Sequence, residues 1–204
     1  GILLDVNPFD EPNVTESKEN TKRVLEELHR HGHFPVEEPL ASGDGLALYG
    51  DAPLRLSAAT GTVVGELRRH LDRSHPGGYL AVCAFVAPTA ARADAIDRIR
   101  LRLRDATGRA TTGGFGPRFL HSTGQLHKGG PAIGWFLQLT SDHPTDLEVP
   151  GKPYTFGQLI DAQARGDFEA LESHELPVLR VHLGADVDAG LVALDAALTE
   201  ALGQ

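Results

Sequence analysis

Apolar residues recur along the chain in two periodicities. Strand-length runs occur at Ile2–Val6, Leu46–Tyr49, Leu54–Ser57, Tyr79–Val86, Arg109–Thr112, Trp135–Leu139 and Val178–Leu183. Tyr79–Val86 is apolar without interruption, as in a strand covered on both faces. Between these runs the apolar positions fall three and four apart. Val24, Leu25 and Leu28 do so within Val14–His31, Val63, Val64, Leu67 and Leu71 within Thr62–Arg73, and Ile96, Ile99 and Leu103 within Pro88–Thr107. That spacing predicts amphipathic helices, with Asn13 and Glu16 as a capping box for the first and Gly32 as its stop. Further helices are predicted at Gln158–Ala164, Asp167–Ser173 and Ala189–Leu202. Strands alternating with helices predict an α/β domain, a three-layer sandwich around a mostly parallel sheet. Its expected central strands are Ile2–Val6, Tyr79–Val86, Trp135–Leu139 and Val178–Leu183. The proline- and glycine-bearing connector Phe34–Asp44 marks the best internal boundary, separating 1–33 from 34–204.

Composition narrows the picture. At 204 residues and 41% apolar content the chain can bury a sizeable core, and no apolar run reaches membrane-spanning length, so a soluble protein is expected. A formal net charge of −9 disfavours nucleic acid and anionic membrane as partners. The single cysteine, Cys83, excludes an internal disulfide, reads as a small buried hydrophobe and fits a reducing cytoplasm. The chain lacks methionine and begins in an apparent strand, so a longer natural protein is expected. The alternating histidines His29, His31 and His33 do not converge three imidazoles at a helix end. Arg92, Arg98, Arg100, Arg102 and Arg104 interleave with Asp94, Asp97 and Asp105 as a solvated helix face.

Candidate chemistry is densest in Gly116–Gly130, which reads G-P-R-F-L-H-S-T-G-Q-L-H-K-G-G. It is too polar for a core strand, and its glycines argue for a loop rather than a helix interior. Such a loop delivered onto an apolar strand is a place where α/β folds keep chemistry, although a plain glycine-rich turn has the same composition. Arg118 could hold an anion, and His127 and Lys128 could approach a phosphate or sugar hydroxyl closely.

Three strings together resemble glucose-6-phosphate isomerase. Asn7-Pro-Phe-Asp-Glu-Pro-Asn-Val-Thr-Glu-Ser-Lys18 is similar to the family's lysine signature, N-x-F-D-Q-x-G-V-E-x-x-K. Phe9, Asp10, Val14 and Lys18 match it. Glu11, Asn13 and Thr15 stand where the family has Gln, Gly and Glu. His121-Ser-Thr-Gly-Gln125 resembles its H-S-x-G-Q, and Tyr154-Thr-Phe-Gly157 its Y-T-F-G. The ordinary bacterial enzyme carries those two strings before the lysine signature, whereas here they follow it. That order is most similar to the C-terminal region of bacterial transaldolase/glucose-6-phosphate isomerase fusion proteins.

The resemblance implies a SIS-like or Rossmann-like C-terminal isomerase domain. It also implies interconversion of glucose 6-phosphate and fructose 6-phosphate, by ring opening and enediol proton transfer, without metal or cofactor. Lys18 and His121 are the implied ring-opening residues, since an imidazole titrates in the right range and an ammonium stabilises a developing oxyanion. Glu11, Ser122, Thr123 and Gln125 join Arg118, His127 and Lys128 as substrate-binding candidates. Lys18 and His121 are then expected in one cleft. The family's proton-transfer string E-S-x-G-K is absent, as are its Ser/Thr-rich phosphate loop and its G-G-R-F-S string. The isolated chain is therefore expected to lack turnover, to need an N-terminal isomerase region, and to form a homodimer, because the family's active site lies between subunits. A non-catalytic sugar-phosphate-binding or regulatory module stays open as the alternative.

Overall fold

The computed structural model describes residues 1–5, 7, 9–10, 12–119 and 123–203. Among these, strands β1 (Ala41–Gly43), β2 (Leu46–Gly50), β3 (Tyr79–Ala84), β4 (Ala110–Phe115), β5 (Gly134–Thr140) and β6 (Val178–His182) form one sheet. Their order is β1-β2-β6-β5-β3-β4. The last four run parallel, while the β1–β2 hairpin joins β6 antiparallel. Helices cover both faces, so the protein is an α/β three-layer sandwich with a mostly parallel sheet.

Strand alternation sorts the core onto the two faces. Leu80, Val82, Trp135, Leu137, Leu179 and Val181 point to the side held by α3 (Val63–Leu71), α4 (Ala90–Thr107) and α7 (Val187–Ala201). Ala81, Cys83, Phe85, Phe136 and Val178 point to the opposite side, under Ala164, Phe168 and Leu171 of α6 (Phe156–Ser173). The short α5 (Gly124–Gly129) lies on this second side, where His127 meets the edge of Phe136. Helix α1 (Pro12–His31) packs outside α5 and α6. Among the described residues no helix is long and apolar enough to cross a membrane.

Several expected elements change. Ile2–Leu4 is an exposed 3-10 turn rather than a central strand, and Val6 lies outside the described residues. The turn pairs with no strand and buries nothing, so its apolar residues have no reason to extend. Leu54–Ser57 gives way to a short helix, α2 (Ala52–Leu56). Asp51 caps it by accepting from the Leu54 N–H at 3.2 Å, and Pro53 suits a first turn. Asp51 also accepts from the Val178 N–H at 3.0 Å and takes both arms of Arg73 at 2.8 and 2.7 Å, tying β2 to β6 and α3. Helix α1 starts at Pro12, so Asn13 lies inside it and is not the expected N-cap. The two short helices expected at Gln158–Ala164 and Asp167–Ser173 are one. Gly166 sits mid-helix because a Cβ there would lie 3.1 Å from the Thr21 amide nitrogen of α1, so its absence lets the two helices close up.

Candidate functional site

The chain leaves β3 for α4 on one face and leaves β5 for α6 on the other. The loops after these adjacent strands therefore part. Open α/β sheets bind ligands in the crevice outside such strand ends. A cavity of about 550 Å3 lies there, lined by Phe85, Val86, Phe115, Arg118, His143 and Ile160 among others. His143 Nε2 lies 3.0 Å from Asp161 Oδ1, and the Asp161 hydrogen bond holds the imidazole's pKa above its ordinary value against burial. Asp146 accepts from the Gly157 N–H at 2.8 Å, so a carboxylate of the chain itself occupies the amino end of α6. A Cβ on Gly157 would lie 2.5 Å from Asp146 Oδ2 and 2.7 Å from the His143 ring, which gives the last residue of Tyr154-Thr-Phe-Gly157 a steric reason.

The glycine-rich stretch Gly116–Gly130 is not the open loop expected. It contains α5, which turns His127 and Lys128 inward. Lys128 is buried, with Nζ 2.6 Å from Asp167 Oδ1 and 2.8 Å from Ser17 Oγ. Burial pushes the Asp167 carboxyl up, against the pull of Lys128. His127 stacks on Tyr79 and shares a 2.7 Å hydrogen bond between its Nδ1 and the phenol oxygen. Burial, with help from the Lys128 charge, lowers the imidazole's pKa to about 4, and burial raises the phenol to about 12. The ring is thus neutral at pH 7, and the phenol is the natural donor to it. A neutral imidazole of this kind can position a group but is a weak base. Arg118, Thr123 and His127 border one cavity of about 270 Å3 beside β4, together with Cys83, whose thiol burial pushes well up. Thr123 Oγ1 donates to the Phe119 carbonyl at 3.1 Å.

Gln125 reaches back to α1. Its Oε1 accepts from the Asn13 N–H at 3.2 Å, and its Nε2 donates to Asn13 Oδ1 at 2.9 Å. Asn13 in turn donates to Glu16 at 3.1 Å. Burial opposes the Glu16 charge, but hydrogen bonds from His174 and Asn13 outweigh it and lower the carboxyl's pKa. A Cβ on Gly129 would lie 2.2 Å from Gln125 Nε2, so glycine there makes room for the pair.

Lys18 is exposed on the adjoining flank of α1. It lines an open groove of about 770 Å3 with Lys22, His29 and Arg30 of the same helix and Pro153 and Tyr154 of the loop before α6. The groove is rich in cations. Its carboxylate, Glu26, lies 3.7 Å from the Lys22 ammonium. Residues of the strings at Asn7–Lys18 and Tyr154–Gly157 thus meet in one groove, and the strings at Asn7–Lys18 and His121–Gln125 meet through Asn13 and Gln125. His121, Ser122 and Glu11 lie outside the described residues, so the expected approach of His121 to Lys18 does too. Sequence reasoning missed Tyr79, Asp167 and the His143–Asp161 pair, whose partners are remote in the chain and leave no local signal.

No family model matches the chain, and no curated protein sequence is significantly similar. Among solved structures, a hypothetical protein from Thermus thermophilus shares the fold with a TM-score of 0.60 at 14% identity. The match covers 74% of this chain and 41% of that one, so the chain spans under half of its neighbour's length.

Proposed function

We propose that this chain is the C-terminal part of a glucose-6-phosphate isomerase, acting in the cytoplasm as a homodimer completed by an N-terminal isomerase region. The carrying observation is the groove that Lys18 shares with Tyr154, with Gln125 paired to Asn13 on the same helix. Lys18, Lys22 and Arg30 give that groove the charge a sugar phosphate needs, and an ammonium at position 18 suits a developing oxyanion. Glu26 is held beside Lys22, and the proton-transfer carboxylate comes from outside this chain. A second reading, a non-catalytic sugar-phosphate-binding module, draws support from α5, where Lys128 is committed to Asp167 and His127 is neutral.

The test is a coupled assay for fructose 6-phosphate conversion, with a calorimetric titration of 6-phosphogluconate on this chain and on Lys18→Ala. The expected result is no turnover, and binding weakened about tenfold or more by the substitution, the scale of a lost charge-assisted hydrogen bond. Turnover that disappears in Lys18→Ala would mean that the chain is a complete isomerase. Binding indifferent to Lys18 would remove the groove from the reading.

A further inference from the structure

On the α6 side of the sheet, away from the residues of the proposed isomerase site, two arginines converge on one carboxylate. Arg180 of β6 and Arg165 of α6 both reach Glu37 Oε2, the second at 3.3 Å. Arg180 is buried, lying 4.4 Å over the Tyr49 ring and 5.7 Å from that of Phe168. Arg165 sits 4.9 Å over Phe34. These contacts hold both guanidinium planes, which is how arginine is prepared for an oxyanion. Beside them lies a cavity of about 260 Å3, bounded also by Asp161 of α6 and by Thr140 and His182 at the ends of β5 and β6.

Two guanidiniums meet one direct carboxylate. Asp161 is hydrogen-bonded to His143 and Glu169 to Arg23. Burial works most strongly against the Arg165 charge and Arg180 also opposes it, while Glu37, Asp161 and Glu169 support it. Glu37 itself belongs to a weakly held strap. Pro35, Val36, Glu38 and Pro39 are exposed, Val36 at 90%, and Glu37 keeps 40% of its side chain in solvent.

We propose that Arg165 and Arg180 form a phosphate-binding site in which Glu37 is an internal stand-in, displaced when a phosphoryl group enters. A phosphoryl group carries roughly −1.5 to −2 charge at pH 7 and three acceptor oxygens, against one negative charge and two oxygens on Glu37. Its three oxygens can answer both forks at once. The ligand is inorganic phosphate or a small phosphomonoester. The site is independent of the isomerase reading.

The test is calorimetric titration of the intact chain with inorganic phosphate at fixed ionic strength, repeated on Glu37→Gln, Arg165→Gln and Lys18→Ala. Saturable binding is expected, about tenfold tighter in Glu37→Gln and about tenfold weaker in Arg165→Gln, the scale of one charge-assisted contact. Lys18→Ala, which weakens any phosphate held in the proposed sugar-phosphate groove, should leave the Arg165-dependent binding in place. Far-UV circular dichroism and a thermal melt must show Arg165→Gln folded. If it is not, Arg165→Lys, which keeps the charge and loses the fork, takes its place with the same expected direction. Phenyl phosphate binding as inorganic phosphate does would assign recognition to the phosphoryl group alone, and tighter binding would assign it to an ester. No saturable binding to either Glu37→Gln or the parent would overturn the proposal. So would affinity unmoved by Glu37→Gln, or affinity lost with Lys18 instead of Arg165.

Discussion

Asp167→Asn isolates the buried ion pair at the centre of the α1, α5 and α6 junction. Lys128 and Asp167 side chains are 1% and 3% exposed, and the substitution keeps shape while removing the carboxylate paired directly with the ammonium. Ser17 Oγ, 2.8 Å from Nζ, would remain its polar partner. Breaking a buried pair by removing one member costs about 3–5 kcal/mol. For a domain of this size each kcal/mol moves the melting temperature by roughly 2–4 °C, so a fall of about 6–20 °C is expected. Total stability is commonly only about 5–15 kcal/mol, which makes the loss a large fraction of the whole. The assay is urea unfolding followed by far-UV circular dichroism, on Asp167→Asn, Lys128→Met and the double substitution Lys128→Met/Asp167→Leu. The double variant removes both charges together and should be far less damaged than Asp167→Asn, within about 1–2 kcal/mol of the parent. The reasoning fails if Asp167→Asn costs under about 1 kcal/mol, or if the double variant is as damaged as the single one.

Gln125→Ala should lose about 1–2 kcal/mol, since it removes two hydrogen bonds from the first turn of α1; equilibrium unfolding checks it. Gly157→Ala should cost about 1–3 kcal/mol by pushing on Asp146 and His143, and it should shift the His143 ring signals in NMR; an unchanged melt would refute the close approach. Stability should fall as pH drops from 6.5 towards 5. His70, buried with Nε2 2.9 Å from the Phe136 carbonyl, is lowered to about 3 by burial and then by the Arg73 charge, and His127 is lowered to about 4. Both bind a proton more readily unfolded than folded, so each makes stability rise with pH between its folded and unfolded values, by up to about 1.4 kcal/mol per unit. Replacing His70 with Gln should flatten that rise of stability with pH, measured by denaturation between pH 5 and 6.5.

The sheet is legible in the sequence because its central strands are covered on both faces and need apolar side chains at every position, as Tyr79–Ala84 has. Ile2–Leu4 has the same apolar look without a neighbouring strand, and pairing across the sheet is not written in local composition. Leu54–Ser57 misleads for the opposite reason: a side-chain cap from Asp51 and a proline outrank apolar content over so few residues. The site divides along similar lines. Strings that mark Lys18, Gln125 and Tyr154 are visible, and their meeting around α1 follows from the fold. The roles of Lys128 and His127 are hidden because their partners, Asp167 and Tyr79, lie 39 and 48 residues away. A lysine in a glycine-rich stretch looks like a ligand contact until its burial is known.

The first turns of α1 meet α5 through polar groups, while Val24 and Leu28 bury apolar surface further along the helix. Ser17 accepts from Lys128 while donating to the Asn13 carbonyl at 3.0 Å, and Asn13 is held by Gln125. Lifting α1 away would therefore take Ser17 from the Lys128 ammonium and Asn13 from Gln125, loosening α5 in the same event. Amide protons of the two helices should exchange with a common opening free energy, as one cooperative block. The groove that holds Lys18 would then exist only while that block is closed, so its occupancy by any anion should slow exchange in α5, a helix that does not line it.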